Sequence, residues 1–390
     1  MTEAVIVSAV RTAVGTARRG TLSETPAETL ATHVLQSVIE RSGLPGERVD
    51  DVILAESLYG GGDLARHAAV AAGLQQVPGV AVNRHCAGSL TSTSFAAAQI
   101  IAGAADAVVA GGVNSSSLSP VLTWRTPGTE DDYQRRGVPT FPYTDTANDD
   151  TSISTGWNVA KYHGLSREEM DAWALRSHQR AVAATDAGWF EGEITPIKVT
   201  RKDGAVVDFA VDEHPRRDTS LEKLAKLKPL HPEIGGFSIT AGNASGSNDA
   251  ASALLLTSAG LAAAEGLTPL ARVTAWTSTG VDPALTGLGA IAVIEKLFAR
   301  TGLSREDVDL WEINEAFAAV PVAACKVLGL DEEKVNAFGS GCSIGHPIAA
   351  SGGRMLTTLV HALRRRGGGV GVAAMCAGGG QGGAVVVKVA

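Results

Sequence analysis

The stretch RSGLPGERVD at residues 41–50 returns as RTGLSREDVD at residues 300–309, an offset of 259 residues. Each copy follows a segment whose apolar residues have helical spacing. Each also precedes an apolar strand, DVILAE in the first case and LWEINE in the second. A repeat that joins a helix to a strand indicates one supersecondary unit used twice. The chain is therefore predicted to contain two copies of one α/β unit.

The similarity between the two copies extends beyond these junctions. Cys86 opens a predicted helix that is followed by the strand DAVVAGG, and His346 opens one that is followed by the strand GVGVAAMCAGGG. Apolar, β-branched runs also occur at 4–10 and 383–389. Nearly continuous apolar strands that alternate with helices are typical of α/β layers around a buried sheet.

The segment between the two copies is rich in prolines, charges and tryptophans. Within it, a capping sequence S-R-E-E predicts a helix that begins after Ser166. We expect a loop domain inserted at one end of the sheet, where substrate contacts usually lie. The predicted organisation is an N-terminal half at 1–118 completed by about 247–270, an inserted loop domain at 119–246, and a C-terminal half at 271–390.

Composition narrows the possible classes of protein. The 390 residues are 45% hydrophobic and 19% charged, which is typical of a globular chain of two to three domain-sized units. The formal net charge is −8 and the longest basic run is 364–366, so nucleic acid is not an expected partner. No apolar stretch approaches the roughly 18 residues of a membrane span, and the N-terminus does not resemble a signal peptide. A cytoplasmic location without membrane contact is therefore expected.

The four cysteines are widely spaced and form no CxxC pair, so neither a disulfide framework nor a metal site is predicted. Cys325 lies in an apolar helical run and is interpreted as a buried core residue. Cys86 lies where the strand of VAVNRHCAGSLTSTSFAAA ends and a helix begins, and helix N-termini favour a thiolate. Catalysis and core packing are both open for Cys86 on this pattern, and the adjacent His85 is interpreted as structural.

Two glycine-rich turns near the C-terminus carry further candidates. In GSGCSIGHPIAASGGR at 339–354, His346 fits either a base for a cysteine nucleophile or a helix-capping residue. In AAMCAGGGQGGA at 373–384, Cys376 ends a strand before glycines whose N–H groups are free to form an oxyanion hole.

The segment WEINEAFAA at 311–319 places polar residues where a strand meets an apolar helix. Buried polar groups at such a junction must be hydrogen-bonded. For Asn314 and Glu315, support of the fold and catalysis are both open.

Together these segments resemble the thiolase family. The matching signatures are NEAFA at 314–318, GHP at 345–347, CAGGGQG at 376–382 and TAGNASG at 240–246, and the Cys86 segment completes the set. They occur in the family's order and spacing, and the resemblance covers essentially the whole chain. It implies an α/β thiolase fold with two duplicated αβαβα-layered halves and an inserted loop domain.

The resemblance implies a role for each matched residue. Cys86 takes the acyl group from a coenzyme A thioester, and His346 activates Cys86. Cys376 moves a proton at the α-carbon of acetyl-CoA. Asn314 holds a water in an oxyanion hole that includes His346, and the backbone N–H groups of Cys86 and Gly378 form a second hole.

The resemblance also implies the ligands and the assembly. The activity would be thiolytic cleavage of 3-ketoacyl-CoA by coenzyme A, the reverse Claisen condensation, or both. Acyl-CoA and coenzyme A would be substrates, with no bound cofactor. Ser245 matches a pantetheine-contacting serine, and Arg216 or Arg217 lies where the family often has an arginine near the nucleotide end of coenzyme A. A homodimer or homotetramer is implied.

The sequence departs from the family pattern at several places. Gly88-Ser89 replaces the usual Ser-Gly order, and TSISTGWNVA at 151–160 lacks the usual Met-Gly turn. GCSIGHP replaces the commoner small, apolar approach to the histidine, and VNSSS follows DAVVAGG in place of the usual Glu and Met. These departures leave the acyl chain length open.

Two other functions fit parts of the sequence. A decarboxylating condensing enzyme of related fold would normally carry a second catalytic histidine where Asn314 stands. A catalytically altered, thiolase-like acyl-CoA-binding protein fits the departures. The presence of Cys86, His346, Cys376 and Asn314 favours an active thiolase over both.

Overall fold

The computed structural model describes residues 2–57, 59, 62–135, 140 and 150–390. The first half of the chain contains β1 (Ala4–Arg11), β2 (Gly15–Thr16), α1 (Ala27–Ser42), β3 (Asp51–Glu56), α2 (Leu64–Ala71), β4 (Gly79–Val82), α3 (Gly88–Ile101) and β5 (Ala107–Ser115). The middle contains β6 (Thr123–Arg125), β7 (Tyr133–Arg135), a π-helix (Ser152–Trp157), α4 (Asn158–Tyr162), α5 (Arg167–Asp186), β8 (Ile197–Thr200), β9 (Val206–Phe209) and α6 (Leu221–Ala225). The remainder contains β10 (Asn248–Ser258), α7 (Ala259–Ala264), β11 (Ala271–Gly280), α8 (Gly289–Thr301), β12 (Leu310–Ile313), α9 (Ala319–Leu328), α10 (Ser351–Arg365), β13 (Gly369–Ala377) and β14 (Gln381–Val389).

The repeated sequence folds in the same way in both copies. α1 ends at Gly43 with φ 77, and α8 ends at Gly302 with φ 72. Glycine adopts this left-handed conformation without a Cβ penalty, so each helix stops at the same place in its copy. A short 3-10 turn follows each glycine and leads into β3 or β12. The predicted internal repeat is therefore confirmed.

The large sheet is arranged symmetrically about its centre. In the described part of the chain its strand order is β12-β13-β14-β11-β1-β10-β5-β3-β4, and β2 pairs with β10. β3 is parallel to β5, and β12 is parallel to β13. β10 lies antiparallel between β1 and β5, as β14 does between β11 and β13. The two halves meet where Val5 and Ile6 pair with Arg272 and Ala271.

Alternate residues of the strands face different cores. Val5 of β1 packs in an outer core with α1 and α2, whereas Ile6 faces a central core that contains α3 and α10. Val386 of β14 packs in a second outer core with α8 and α9, whereas Val385 faces the central core. The layers therefore run helix, sheet, helix, sheet, helix, and the expected α/β, αβαβα-layered fold is confirmed.

Buried ion pairs fix the middle segment on the end of β1. The Arg11 guanidinium lies 2.7 Å from the Glu193 carboxylate and 2.7 Å from the Asp212 carboxylate, and all three side chains are buried. Breaking such a group costs more stability than a surface pair provides, because it leaves an unpaired buried charge. The predicted cap of α5 is also present, since the Ser166 hydroxyl accepts from the Glu169 N–H at 3.1 Å. The domain boundaries themselves stay a prediction, and residues 136–139 and 141–149 of the inserted loop domain lie outside the described residues.

Candidate active site

Cys86 lies at the entrance to α3, in the first half of the molecule. β4 ends at Val82, and a single 3-10 turn, His85–Ala87, carries the cysteine to the first residue of the helix. His85 holds the turn with a left-handed φ of 44. The backbone N–H groups of Gly378 and of Cys86 itself are directed at the sulfur.

Two influences act on the charge of Cys86 in opposite directions. Burial raises the pKa of its thiol to about 11, although the two N–H groups oppose this shift. Burial thus favours the neutral thiol over the thiolate that a helix N-terminus alone would favour. Cys86 is a thiol near neutral pH and requires a base to become a nucleophile.

His346 lies at the corresponding position in the second half, just before α10. Its backbone N–H donates to Asn248 Oδ1 at 2.9 Å, and its ring Nδ1 lies 2.6 Å from Ser351 Oγ. Gly345 precedes it with φ 111, and a Cβ there would lie 2.6 Å from Asn248. Burial, and secondly the charge of Arg354, lower the pKa of His346 to about 4. The ring is therefore neutral near pH 7 and able to accept a proton.

Cys376 lies at the end of β13, before the turn that leads into β14. It is buried, and burial together with the neighbouring Cys86 raises the pKa of its thiol well above the usual range. A thiol that stays protonated can donate a proton to a developing carbanion. In the reverse direction, removal of a proton from carbon requires a strongly basic thiolate.

Asn314 and Glu315 follow β12 and have separate functions in the structure. Asn314 Nδ2 lies 3.3 Å from His346 Nδ1 and 3.4 Å from Nε2, and its buried Oδ1 has no hydrogen-bond partner within the described residues. Glu315 accepts from Trp173 at 2.9 Å, Ser177 at 2.6 Å and Asn336 at 2.8 Å. Glu315 therefore joins α5 to the core, whereas Asn314 faces the histidine.

Three of the four predicted catalytic side chains meet around one cavity of about 210 Å³, and Asn314 is not among its lining residues. Cys86, His346 and Cys376 all line it, and Gly378 and Ser245 line it as well. Its other described lining residues are Ser116, Thr151, Thr155, Gly246, Ser247, Thr286, Ala316, Phe317, Ile348 and Ala377. A thiol that needs a base, a neutral imidazole and a second thiol thus share one small space.

Two family models match the sequence along nearly its whole length. One, described as the thiolase N-terminal domain, matches residues 4–260, and the other, the thiolase C-terminal domain, matches residues 267–389. This chain belongs to the thiolase family.

Curated and solved relatives agree with the assignment to the thiolases. Acetyl-CoA acetyltransferase of Pseudomonas aeruginosa is 42% identical over 372 residues, which is 93% of each chain. The structure of the Bacillus anthracis acetyl-CoA acetyltransferase is similar, with a TM-score of 0.90 and 38% identity over 100% of this chain and 99% of that one. Human mitochondrial 3-ketoacyl-CoA thiolase is similar, with a TM-score of 0.91 and 35% identity over the same shares of the two chains.

The two candidate arginines of this thiolase lie outside the cavity lining. Arg217 is exposed and forms two bonds with the Asp186 carboxylate, at 2.8 Å and 2.6 Å. Arg216 is also exposed, and its guanidinium makes no hydrogen bond with any described residue. Its backbone N–H donates to His178 Nδ1 at 3.1 Å. The structure therefore separates two neighbours that the sequence does not distinguish.

Sequence reasoning missed two residues that hold the thiolase histidine. Asn248 anchors the His346 backbone from β10, and Ser351 contacts the ring from the start of α10. Ser351 follows the histidine by five residues, within the glycine-rich segment already identified, and that position at a helix start is a usable signal. Asn248 is separated from His346 by 98 residues, and no local pattern connects them.

Several departures from the thiolase pattern lie at the cavity itself. Thr151 and Thr155 come from the segment that lacks the Met-Gly turn, and Ser116 comes from the VNSSS segment. In contrast, Gly88 and Ser89 are buried at the helix start, where Ser89 Oγ accepts from the Gly353 N–H at 2.8 Å. The Gly-Ser order thus supports the packing of α3 on α10, and the hydroxyl residues alter the pocket.

Proposed function

We propose that this thiolase cleaves 3-ketoacyl-CoA with coenzyme A, and catalyses the reverse condensation, through an acyl thioester on Cys86. The observation that carries the proposal is that Cys86, His346 and Cys376 line one cavity. Membership of the thiolase family makes the chain an acyltransferase. The names of its relatives, acetyl-CoA acetyltransferase and 3-ketoacyl-CoA thiolase, support both directions of the reaction.

The first half of the cleavage begins with proton transfer from Cys86 to His346. With its own proton on Nδ1, the imidazole donates to Ser351 and leaves Nε2 free to accept the thiol proton. The Cys86 sulfur then attacks the 3-keto carbon, and the bond between the second and third carbons breaks. The departing enolate of acetyl-CoA takes a proton from Cys376, and the acyl group stays on Cys86.

The second half returns the enzyme to its starting state. The thiol of coenzyme A gives its proton to the Cys376 thiolate and attacks the acyl carbonyl, and the bond to Cys86 breaks to release a new acyl-CoA. His346 returns to the departing Cys86 sulfur the proton that it took in the first half. Condensation follows the same steps in the opposite order.

Negative charge develops on oxygen in both halves, and we assign two groups of donors to receive it. The first is the pair of N–H groups of Cys86 and Gly378, which point at the sulfur that carries the acyl group. The second is Asn314 with His346, whose side-chain nitrogens Nδ2 and Nδ1 lie 3.3 Å apart. One preorganised donor of this type is worth roughly 2.7–4 kcal/mol in a transition state.

Coenzyme A enters as a substrate in this proposal, and no cofactor is required. Ser245 lines the cavity and is assigned to the pantetheine arm. Arg216 is assigned to the nucleotide end in preference to Arg217, since Asp186 already neutralises Arg217. Among the described residues, no group of three or more His, Cys, Asp or Glu side chains is placed to hold a metal ion.

The assembly and the location remain parts of the proposal. β4 is the terminal strand of the large sheet, and Val80 on it and Phe95 on α3 expose 41% and 46% of their surface. An apolar sheet edge of this kind supports pairing with a second copy, in a homodimer or homotetramer. No helix in the described part of the chain is long and apolar enough to cross a membrane. We keep the cytoplasm as the predicted compartment, with neither membrane nor nucleic acid as a partner.

The test is the mass of the intact protein after mixing with acetyl-CoA, followed by a chase with free coenzyme A. We expect a gain of one acetyl group, mapped to Cys86 by peptide analysis, and its removal in the chase. Cys325→Ala is the matched control, because Cys325 is buried in α9 away from the cavity. A protein that binds acyl-CoA without any covalent gain would support the binding-protein alternative, which the family and its relatives do not favour.

A further inference from the structure

Hydroxyl groups make up a large part of the lining of the cavity in this thiolase. Six of its lining residues carry one: Ser116, Thr151, Thr155, Ser245, Ser247 and Thr286. No Asp, Glu, Lys or Arg is among the described residues that line it. The wall therefore offers uncharged hydrogen-bonding groups, without a fixed charge to bind a carboxylate.

These hydroxyls differ in what they already bind. The Thr286 hydroxyl is saturated, since it donates to the Pro283 carbonyl at 2.8 Å and accepts from the Gly380 N–H at 3.1 Å. Ser116 Oγ accepts from Asn114 Nδ2 at 3.0 Å and keeps its own proton to donate. The side chains of Thr151 and Thr155 make no hydrogen bond with any described residue. Ser116 and Thr155 are thus available to a ligand.

The position of Thr155 is fixed by close packing of its backbone. It lies on the π-helix, a conformation that is frequent at functional sites. A Cβ on Gly287 would lie 2.5 Å from the Thr155 carbonyl, and one on Gly156 would lie 3.0 Å from the Phe317 ring. Glycine at both positions lets the π-helix pack closely against the segments that contain Gly287 and Phe317. The backbone that carries Thr155 is therefore fixed at the cavity wall before any ligand arrives.

The chemistry of this wall discriminates among acyl groups. A plain alkyl chain would exclude water from Ser116 and Thr155 without giving either a partner, which is unfavourable. A carboxylate would be buried without a cation among the described lining residues, which is worse. A hydroxyl or keto oxygen on the chain would give these hydroxyl groups the hydrogen-bond partner that they lack. A site built to bind such an oxygen rejects the analogue that lacks it.

We propose that the acyl group carried on Cys86 bears an uncharged hydroxyl or keto oxygen, which is bound by Thr155 and Ser116. The assignment rests on the proposed acyl transfer and adds a substrate class to it. The hydroxyls of Ser245 and Ser247 are not needed for it, because they flank Gly246 on the segment that adjoins His346.

The experiment compares three substrates that leave four-carbon acyl groups on the enzyme: 3-oxohexanoyl-CoA, 5-hydroxy-3-oxohexanoyl-CoA and 3-oxoadipyl-CoA. The measured quantity is kcat/KM for thiolysis by coenzyme A. The wild type should favour the hydroxylated substrate over the alkyl and the carboxylate substrates by at least about tenfold, the effect of one well-placed hydrogen bond. A preference for the alkyl or the carboxylate substrate would overturn the inference.

Variants show whether the predicted residues cause the preference. Thr155→Val keeps the shape of the side chain and removes its hydroxyl, so the hydroxyl-to-alkyl ratio should fall about tenfold, and Thr155→Ser should restore it. Ser116→Ala should lower the same ratio independently. Thr185→Val, on the outer helix α5, is the matched control and should leave the ratio at the wild-type value. If Thr155→Val and Ser116→Ala both keep the wild-type ratio, the assignment fails.

The two proposals fail in different ways. If no acyl group appears on Cys86 from any of the three substrates or from acetyl-CoA, the proposed function is wrong. If acylation and thiolysis occur but the ratio does not follow the hydroxyls of Thr155 and Ser116, only the substrate class is wrong.

Discussion

The two central helices begin at equivalent places in the duplicated halves, yet they present different chemistry to the cavity. Before α3, the chain presents the thiol of Cys86, surrounded by N–H groups. Before α10, it presents the imidazole of His346, which is in contact with Asn248, Asn314 and Ser351. The helices pack against each other in the central core, so the two junctions meet. In the proposed mechanism one half therefore provides the nucleophile and the other provides the base, and the cavity takes lining residues from both halves.

The same contrast applies to the strand ends. β5 and β13 occupy matching positions in the sheet, and the residues just beyond them, Ser116 and Gly378, both line the cavity. At the end of β13 the structure has a thiol and a glycine turn, which suit proton transfer and oxyanion binding. At the end of β5 it has serines, which suit substrate recognition. The two equivalent strand ends therefore present different chemical groups to one cavity.

The largest effect is expected from removing the thiols of Cys86 and Cys376 one at a time. Cys86→Ala should abolish acyl-enzyme formation, whereas Cys376→Ala should still accept an acetyl group from acetyl-CoA. Cys376→Ala should lose at least about a hundredfold in condensation, the lower range for a general acid or base. It should also fail to exchange the α-hydrogens of acetyl-CoA with deuterated water. The measurements are intact-protein mass after a pulse of acetyl-CoA, and a condensation assay on each variant.

Cys325→Ala controls for the loss of a buried thiol outside the site. If Cys376→Ala loses acylation as completely as Cys86→Ala, the division of labour between the helix-start cysteine and the strand-end cysteine is wrong.

A smaller effect is expected at the base. His346→Ala should slow acyl-enzyme formation by about 10²–10⁴-fold, because the Cys86 thiol, with its pKa of about 11, then has no proton acceptor. Ser351→Ala should slow it less, by about tenfold, because the ring remains but its tautomer is no longer fixed. Rapid-quench acylation rates distinguish the two. A full acylation burst in His346→Ala would remove the histidine from the mechanism.

The arrangement of the fold and the candidates of the site could be predicted, because the signals are local. The repeat at 41–50 and 300–309 predicts two copies of one α/β unit, and short motifs predict Cys86, His346 and Cys376, which the structure places around one cavity. The charge state of Cys86 could not be predicted. Its burial depends on contacts with the turn near Gly378, almost 300 residues away.

Hydrogen-bond and ion-pair partners that are far apart in the sequence could not be predicted either. Arg216 and Arg217 are identical in type and adjacent, and only the fold places Asp186 beside one of them. Asn248 reaches His346 across 98 residues. The sequence leaves both a catalytic and a structural role open for Glu315. In the structure, Trp173, Ser177 and Asn336 donate hydrogen bonds to its carboxylate, which favours the structural role. Distances between remote segments decide such cases, and a single sequence carries no direct record of them.

A third prediction concerns the backbone just before each catalytic residue. Gly345 has φ 111 and His85 has φ 44, and a Cβ at Gly345 would lie 2.6 Å from Asn248. Gly345→Ala should lower the free energy of unfolding by roughly 2–3 kcal/mol, from backbone strain plus the collision. Gly302→Ala, with φ 72 and open space around it, should cost only about 1 kcal/mol. Urea titrations measure the free energy of unfolding of both variants. Equal losses would show that the structure relieves the collision with Asn248 without losing stability.

The last prediction concerns a histidine near the second junction. His214 lies beside Gly246 of the cavity wall, and its ring is 6.2 Å from that of His178. Burial first, and then the charge of Arg216, lower the pKa of His214 to about 4 from an ordinary 6.5. Between these pH values the unfolded chain takes up a proton that the folded chain refuses. This histidine therefore favours unfolding increasingly as the pH falls from about 6.5 to 4, by up to about 1.4 kcal/mol per pH unit.

Glu312 acts in the opposite direction over part of that range. Burial raises its pKa to about 7, so the folded protein holds a proton on Glu312 that the unfolded chain releases above about 4.5. The net slope of the wild type thus mixes opposing terms, and only the difference between variants isolates His214. His214→Gln should reduce the loss of stability between pH 6.5 and 4.5 relative to wild type, in urea titrations at each pH. His67→Gln, at an exposed histidine, controls for the substitution itself. An unchanged slope in His214→Gln would mean that the histidine beside Gly246 is protonated in the folded protein, and the cavity wall would then carry a positive charge in mild acid.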